Sequence, residues 1–142
     1  MQQVKTLDTH GKENRCRFRK VMLIDDNEIE NFVNKKLIET TEFSAQTECC
    51  LSAESALEHL RKCSIDALPE IIFLDIKMPG MDGFGFLDEF AMLSPEIHQR
   101  VKIIMLSTSE SFKDLNRANK NRFVFRFLNK PLLQQALDAI VF

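Results

Sequence analysis

The sequence predicts an α/β domain built as a doubly wound open sheet, and three observations carry that expectation. Five short β-rich runs recur along the chain with helical patterns between them. Three of the runs, VMLI, IIFL and VKIIML, are almost continuously apolar, as expected of parallel strands covered by helices on both faces. The segments between the runs carry helix caps followed by apolar residues at helical spacing.

Taken in order, the first run spans Val21 to Asp25. A helix follows Asn27, with Glu30 as a capping partner three residues on and Ile29, Phe32, Val33 and Leu37 on one face. The second run covers roughly Ser44 to Leu51, and Ser52 caps a helix whose Ala53, Ala56, Leu57 and Leu60 form a stripe. The third run, Glu70 to Asp75, ends in the turn pairs Pro79-Gly80 and Asp82-Gly83. Asp82 then caps a third helix with Phe84, Leu87 and Phe90 or Ala91 inward. Val101 to Leu106 forms the fourth run, and a weaker helix extends from about Ser111 to Lys120. After the fifth run, Val124 to Leu128, a last helix starts at Pro131 and presents Leu133, Ala136, Leu137, Ile140 and Val141 up to the C-terminus. Five strands and five helices result, and right-handed crossovers fold them into one sheet.

Size and charge narrow the function classes. A chain of 142 residues that is 44% hydrophobic fits one domain with one core. No apolar run approaches the ~20 residues that cross a bilayer, and the N-terminus lacks a secretory apolar stretch, so no membrane insertion and a cytoplasmic location are expected. The four cysteines show no zinc spacing and read as reduced thiols, and the three histidines as surface residues. Residues 1–20 hold six Lys/Arg against two acids, whereas the remainder holds thirteen against nineteen. Residues 1–19 are therefore expected to form a basic, flexible leader ahead of a domain spanning 20–142.

In a doubly wound sheet the functional crevice lies beyond the carboxyl ends of the strands. Those ends carry Asp25 and Asp26, Asp75, Ser107 and Thr108, and Lys130. Carboxylates gathered within a few ångströms repel by roughly 4 kcal/mol per pair at an effective dielectric near 20. A hard divalent cation offsets that repulsion, and Mg²⁺ fits because it takes one or two carboxylates together with waters and phosphate oxygens. With Mg²⁺ on one side and the Lys130 ammonium on the other, an arriving phosphoryl group finds its charge neutralised and a carboxylate can act as nucleophile. Ser107 supplies a hydroxyl for a phosphoryl oxygen.

The pattern Asp25-Asp26, LDIKMPGMDG around Asp75, IMLST ending in Ser107 and Thr108, and FLNKP containing Lys130 resembles the receiver domain of two-component response regulators over about residues 20 to 142. The resemblance implies a flavodoxin-like sheet of strand order 2-1-3-4-5. It makes Asp75 the acceptor of a phosphoryl group from a sensor histidine kinase or a histidine phosphotransfer protein. It also assigns Mg²⁺ to Asp26, Asp75 and the backbone carbonyl of Lys77, with Asp25 acting mainly through water. Ser107 matches the family's conserved hydroxyl residue, Lys130 its lysine, and Phe127 its aromatic switch position, often Tyr. The Lys130-Pro131 bond is usually cis in relatives.

Thr108 stands where the family usually has Ala or Gly and narrows access to the pocket, while Lys77 and Ser109 occupy positions that tune the lifetime of the modified state. Lys113, Arg117, Lys120, Arg122 and Arg126 form a basic surface on the fourth helix and fifth strand, a face that contacts targets or a second receiver in relatives. The expected protein is a stand-alone receiver, a signalling module rather than an enzyme. No output domain and no direct DNA binding are expected, while a downstream protein target and a homodimer through that basic face are. The alternative is a degenerate receiver that binds partners without phosphorylation. A haloacid-dehalogenase-like phosphohydrolase is disfavoured because it needs a second Asp where Lys77 stands.

Overall fold

The computed structural model describes residues 4–7, 13–108 and 111–142. Two short strands come first, Val4–Leu7 (β1) and Glu13–Cys16 (β2), paired antiparallel with Val4 opposite Cys16. The chain then alternates strand and helix. Phe18–Ile24 (β3) leads to Glu28–Thr40 (α1), Ser44–Cys50 (β4) to Ala53–Lys62 (α2), and Ile71–Asp75 (β5) to Gly83–Phe90 (α3) and Pro95–Arg100 (α4). Lys102–Ser107 (β6), Phe112–Lys120 (α5), Val124–Asn129 (β7) and Gln134–Asp138 (α6) complete it. The five later strands form one parallel sheet in the order β4-β3-β5-β6-β7, which is the expected 2-1-3-4-5.

Strand pleating divides the core into two layers, because successive side chains point to opposite faces. Met22, Ile24, Ile72, Leu74, Ile103 and Met105 face one way and pack against α2, α3, α4 and α5. Val21, Leu23, Ile71, Phe73, Ile104 and Leu106 face the other way, onto Ile38 of α1 and Leu137 of α6. β5, at the centre, is buried along its whole length, so its polar last residue stands at the mouth of the core.

Several expected elements differ in the structure. There are six α-helices among the described residues, not five. The additional one, α4, has Pro95 in its first turn and buries only Ile97, too short a stretch to show a periodic stripe. The last helix begins at Gln134 and not at Pro131, because Pro131 is held in a cis peptide turn with Lys130; Leu133 and Val141 are exposed while Leu137 and Ile140 are buried. On α1 the apolar face is mostly uncovered: Ile29, Phe32 and Val33 are 74%, 61% and 57% exposed, Leu37 packs partly against the core, and Asn31 and Ile38 are buried. The Asn31 amide fixes that rotation by donating to the carbonyls of Asp25 (2.9 Å) and Cys50 (3.4 Å). The Asn31 Oδ1 atom has no hydrogen-bond partner among the described residues.

β1, β2 and the start of β3 lie within the segment expected to be a flexible leader, and residues 1–3 and 8–12 of it lie outside the described residues. At its end Arg17 donates to the carbonyls of Leu137 (2.7 Å) and Ile140, so this segment is fastened to the final helix. None of the four cysteines forms a disulfide among the described residues. His98 is not a plain surface residue: its Nε2 lies 2.7 Å from the Phe90 carbonyl oxygen, and its ring packs between Phe90 and Phe123. No helix among the described residues is long and apolar enough to cross a membrane.

Candidate functional site

Local sequence explains why the carboxyl ends of β3 and β5 present acids. The chain leaves β3 through Asp25, whose backbone N–H still pairs with the Cys50 carbonyl and whose Oδ1 accepts from the Asn27 N–H at 2.9 Å. Asn27 then caps α1 by accepting from the N–H groups of Ile29 and Glu30. After β5 the chain turns through Gly80, whose φ of 73° lies in the left-handed region that favours glycine. It returns so tightly that a Cβ on Gly83 would stand 2.6 Å from the Asp75 carbonyl oxygen and 2.9 Å from the Ile76 Cα. Asp82 caps α3 through the Gly85 N–H. The Asp-Gly pair thus starts the helix while clearing the ground behind Asp75.

The acids converge. One oxygen from each of Asp25, Asp26 and Asp75 lies within 4.8 Å of the others, with Asp25 and Asp75 buried and Asp26 exposed. The Lys130 ammonium completes the cluster, 2.8 Å from Asp25 Oδ2 and 3.1 Å from Asp75 Oδ1. Its backbone N–H is tied to the Ser107 carbonyl at 2.8 Å, which sets the height of the lysine against the end of β6. The Lys130-Pro131 peptide is cis, as the resemblance implied.

Electrostatics follow from burial and crowding. Burial, then the charge of Asp25, pushes the Asp75 carboxyl up from 3.8 to about 6, against the pull of Lys130. Burial works to lower the Lys130 pKa, but hydrogen bonds to Asp25 and Glu30 and the charges of Asp75 and Asp25 outweigh it and hold the ammonium above its ordinary value. The donor set is oxygen only, hard and anionic, and suits a divalent cation of the Mg²⁺ type.

Other expected residues take varied places. Ser107 is buried at the end of β6, Thr108 beyond it is exposed, and the Lys77 side chain is exposed in the turn after β5. Phe127 is half-buried against the layer that holds Met105, its registered neighbour on β6. Ser109 lies outside the described residues. The basic surface is partly engaged within the chain: Arg117 lies 4.1 Å above the Phe84 ring, Arg122 4.3 Å above Phe123, and Arg126 donates to the Ala139 carbonyl at 3.4 Å.

Glu30 takes a place that its spacing from Asn27 did not suggest. It makes no capping box; its Oε2 accepts from the Lys130 Nζ at 2.8 Å. Only its position in the first turn after Asp25-Asp26, on the side of the crevice, hinted at this.

Residues 21–142 match the family model described as the response regulator receiver domain. The chain is 30% identical to a two component response regulator from Cytophaga hutchinsonii, a solved structure with a TM-score of 0.79 covering 84% of this chain and 91% of that one. It is 28% identical, with a TM-score of 0.77 and the same coverages, to a response regulator receiver protein from Dyadobacter fermentans. Among curated proteins it is 29% identical to the "Probable methanogenesis regulatory protein FilR2" of Methanothrix harundinacea, over 85% of this chain and 77% of that protein.

Proposed function

Because the chain belongs to the response regulator receiver domain family, whose members are signalling modules of two-component systems, we propose that it accepts a phosphoryl group on Asp75 from a histidine-bearing protein donor. The observation that carries this reading is Asp75 itself, buried at the end of the central strand beside Asp25 and paired with Lys130 at 3.1 Å.

In the transfer an Asp75 carboxylate oxygen bonds to phosphorus as the donor's N–P bond breaks, and the imidazole nitrogen keeps the electron pair. Lys130 stands where a phosphoryl oxygen would meet its charge. Asp26, Asp75 and the Lys77 carbonyl would hold Mg²⁺, with Asp25 acting through water. When bound, the ion supplies charge neutralisation and polarisation of a phosphoryl oxygen. A protein donor, rather than a small one alone, is favoured by the uncovered apolar face of α1. Ile29 and Val33 line a cavity of about 130 Å³ that also touches Lys130 and Leu132, next to the acids.

Modification becomes a signal through a bistable element. Ser107 and Phe127 belong to the face shared with Met105, so movement of the Ser107 hydroxyl toward a phosphoryl group would open space into which the Phe127 ring can turn. The exposed Lys113 and Lys120, with Arg117, Arg122 and Arg126, would then present a basic surface to an acidic target or a second copy.

The experiment is to incubate the protein with Mg²⁺ and acetyl phosphate and map any added mass. Label on Asp75 that is absent from Asp75→Asn supports the proposal. Unmodified protein, under conditions that label a control receiver, would favour a module that binds partners without phosphorylation.

A further inference from the structure

Lys130 has one partner beyond those the family pattern supplies. An ammonium carries three N–H donors; Asp25 and Glu30 each accept from it at 2.8 Å, and Asp75 stands at ion-pair distance, 3.1 Å. The lysine side chain is only 9% exposed, so no fourth group reaches it easily. A phosphoryl oxygen arriving on Asp75 competes with these carboxylates for the same ammonium, and the most loosely held of them yields first.

The three partners differ in how readily they can. The Asp25 side chain is 6% exposed, and its second oxygen is held by the Asn27 N–H at 2.9 Å. Asp75 is the group being modified. The Glu30 side chain is 39% exposed, stands on the first turn of α1, and has rotamers that lead into water at little cost. It also lines the cavity formed with Ile29, Val33 and Leu132, where an incoming donor would touch it.

We propose that Glu30 is a positioning residue that occupies Lys130 while Asp75 is unmodified and releases it to the phosphoryl group, so that it slows acceptance in the resting protein. The proposal rests on the reading of Asp75 as the acceptor. In the resting state Glu30 withholds a donor and adds a negative charge to the path of an anionic phosphodonor. Asp26, exposed, and Glu28, on the same turn, share that path and are unchanged by substitutions at position 30.

The test compares wild type, Glu30→Gln and Glu30→Ala with Mg²⁺ and phosphoramidate as the donor, following label on Asp75. Removing one unit charge about 6 Å from the reaction in a water-like dielectric changes a rate about threefold. Both variants are expected to accept at least about threefold faster at low salt, with the gap narrowing at about 0.5 M salt as screening predicts. A second readout needs no phosphoryl group: the Lys130 Nζ resonance in nitrogen-15 spectra should move on Glu30→Gln and, in wild type, on adding beryllofluoride with Mg²⁺. Wild-type or slower rates in both variants overturn the proposal, as does a Lys130 resonance indifferent to Glu30→Gln. Absence of label on wild-type Asp75 would count against the acceptor reading alone, and the Glu30→Gln resonance would still decide the Glu30 contact.

Discussion

Replacing Asp75 by Asn should stabilise the protein at neutral pH without metal and do almost nothing at about pH 3. The folded state holds the Asp75 carboxyl near pH 6 against an ordinary 3.8, through burial and then the charge of Asp25. Below pH 3.8 the group is protonated both folded and unfolded, and its full contribution to stability is present. As pH rises from there the unfolded chain releases its proton while the folded one keeps it, so stability falls until the folded group ionises near 6. The displacement is about two pH units, which corresponds to about 3 kcal/mol lost by wild type above pH 7. Asn keeps an oxygen that can accept from Lys130 and carries no charge, so it escapes the loss. Urea unfolding in EDTA, followed by far-ultraviolet circular dichroism because the chain has no Trp or Tyr, should show the two proteins equal at about pH 3. The Asp75→Asn variant should lead by about 2–3 kcal/mol at about pH 7.5. Saturating Mg²⁺ should close the gap by stabilising wild type, about 2.7 kcal/mol at a hundredfold excess over Kd. A difference independent of pH, or a variant less stable than wild type at neutral pH, would refute the account of crowded acids.

Three further outcomes are expected. Lys130→Met removes the cation shared by Asp25, Glu30 and Asp75; it should cost about 3 kcal/mol at about pH 7.5 in urea, and less below about pH 6 as Asp75 takes up its proton. Gly83→Ala forces a Cβ against backbone atoms of Asp75 and Ile76 and should cost about 2–3 kcal/mol, whereas Gly85→Ala meets side-chain atoms of Met81 and Asp82 and no backbone, and should cost less in the same assay. Arg17→Ala removes the guanidinium that donates to the Leu137 and Ile140 carbonyls, leaving Leu137 only the Ile140 N–H; a loss of about 1–2 kcal/mol should appear as faster amide exchange in α6.

The strands and the residues at their ends were legible because a buried parallel strand leaves an almost pure apolar run, and a polar residue that closes it stands out. The same reasoning found the caps Asn27, Ser52 and Asp82, each of which accepts from a backbone N–H of its helix. It failed on α1 because a helical stripe says that an apolar face exists and not what covers it. Asn31, a polar residue, decides the rotation there by bonding two strand-end carbonyls, a long-range contact invisible to periodicity. The Glu30–Lys130 pair spans a hundred residues and was hidden for the same reason. α4 was missed because six residues with one buried side chain give no period. In residues 13–19 short polar strands carry too little apolar alternation to be told from an unstructured segment.

The sheet separates two apolar layers of unequal size, the larger beneath α2, α3, α4 and α5 and the smaller beneath α1 and α6. A protein so divided has two different thresholds for partial opening, and the thinner side has the lower one. Lys130 belongs to the connection that enters the thinner side, while Asp75 is anchored in the central strand between both. Peeling away the last helix would therefore strip the acid cluster of its cation long before the molecule as a whole came apart.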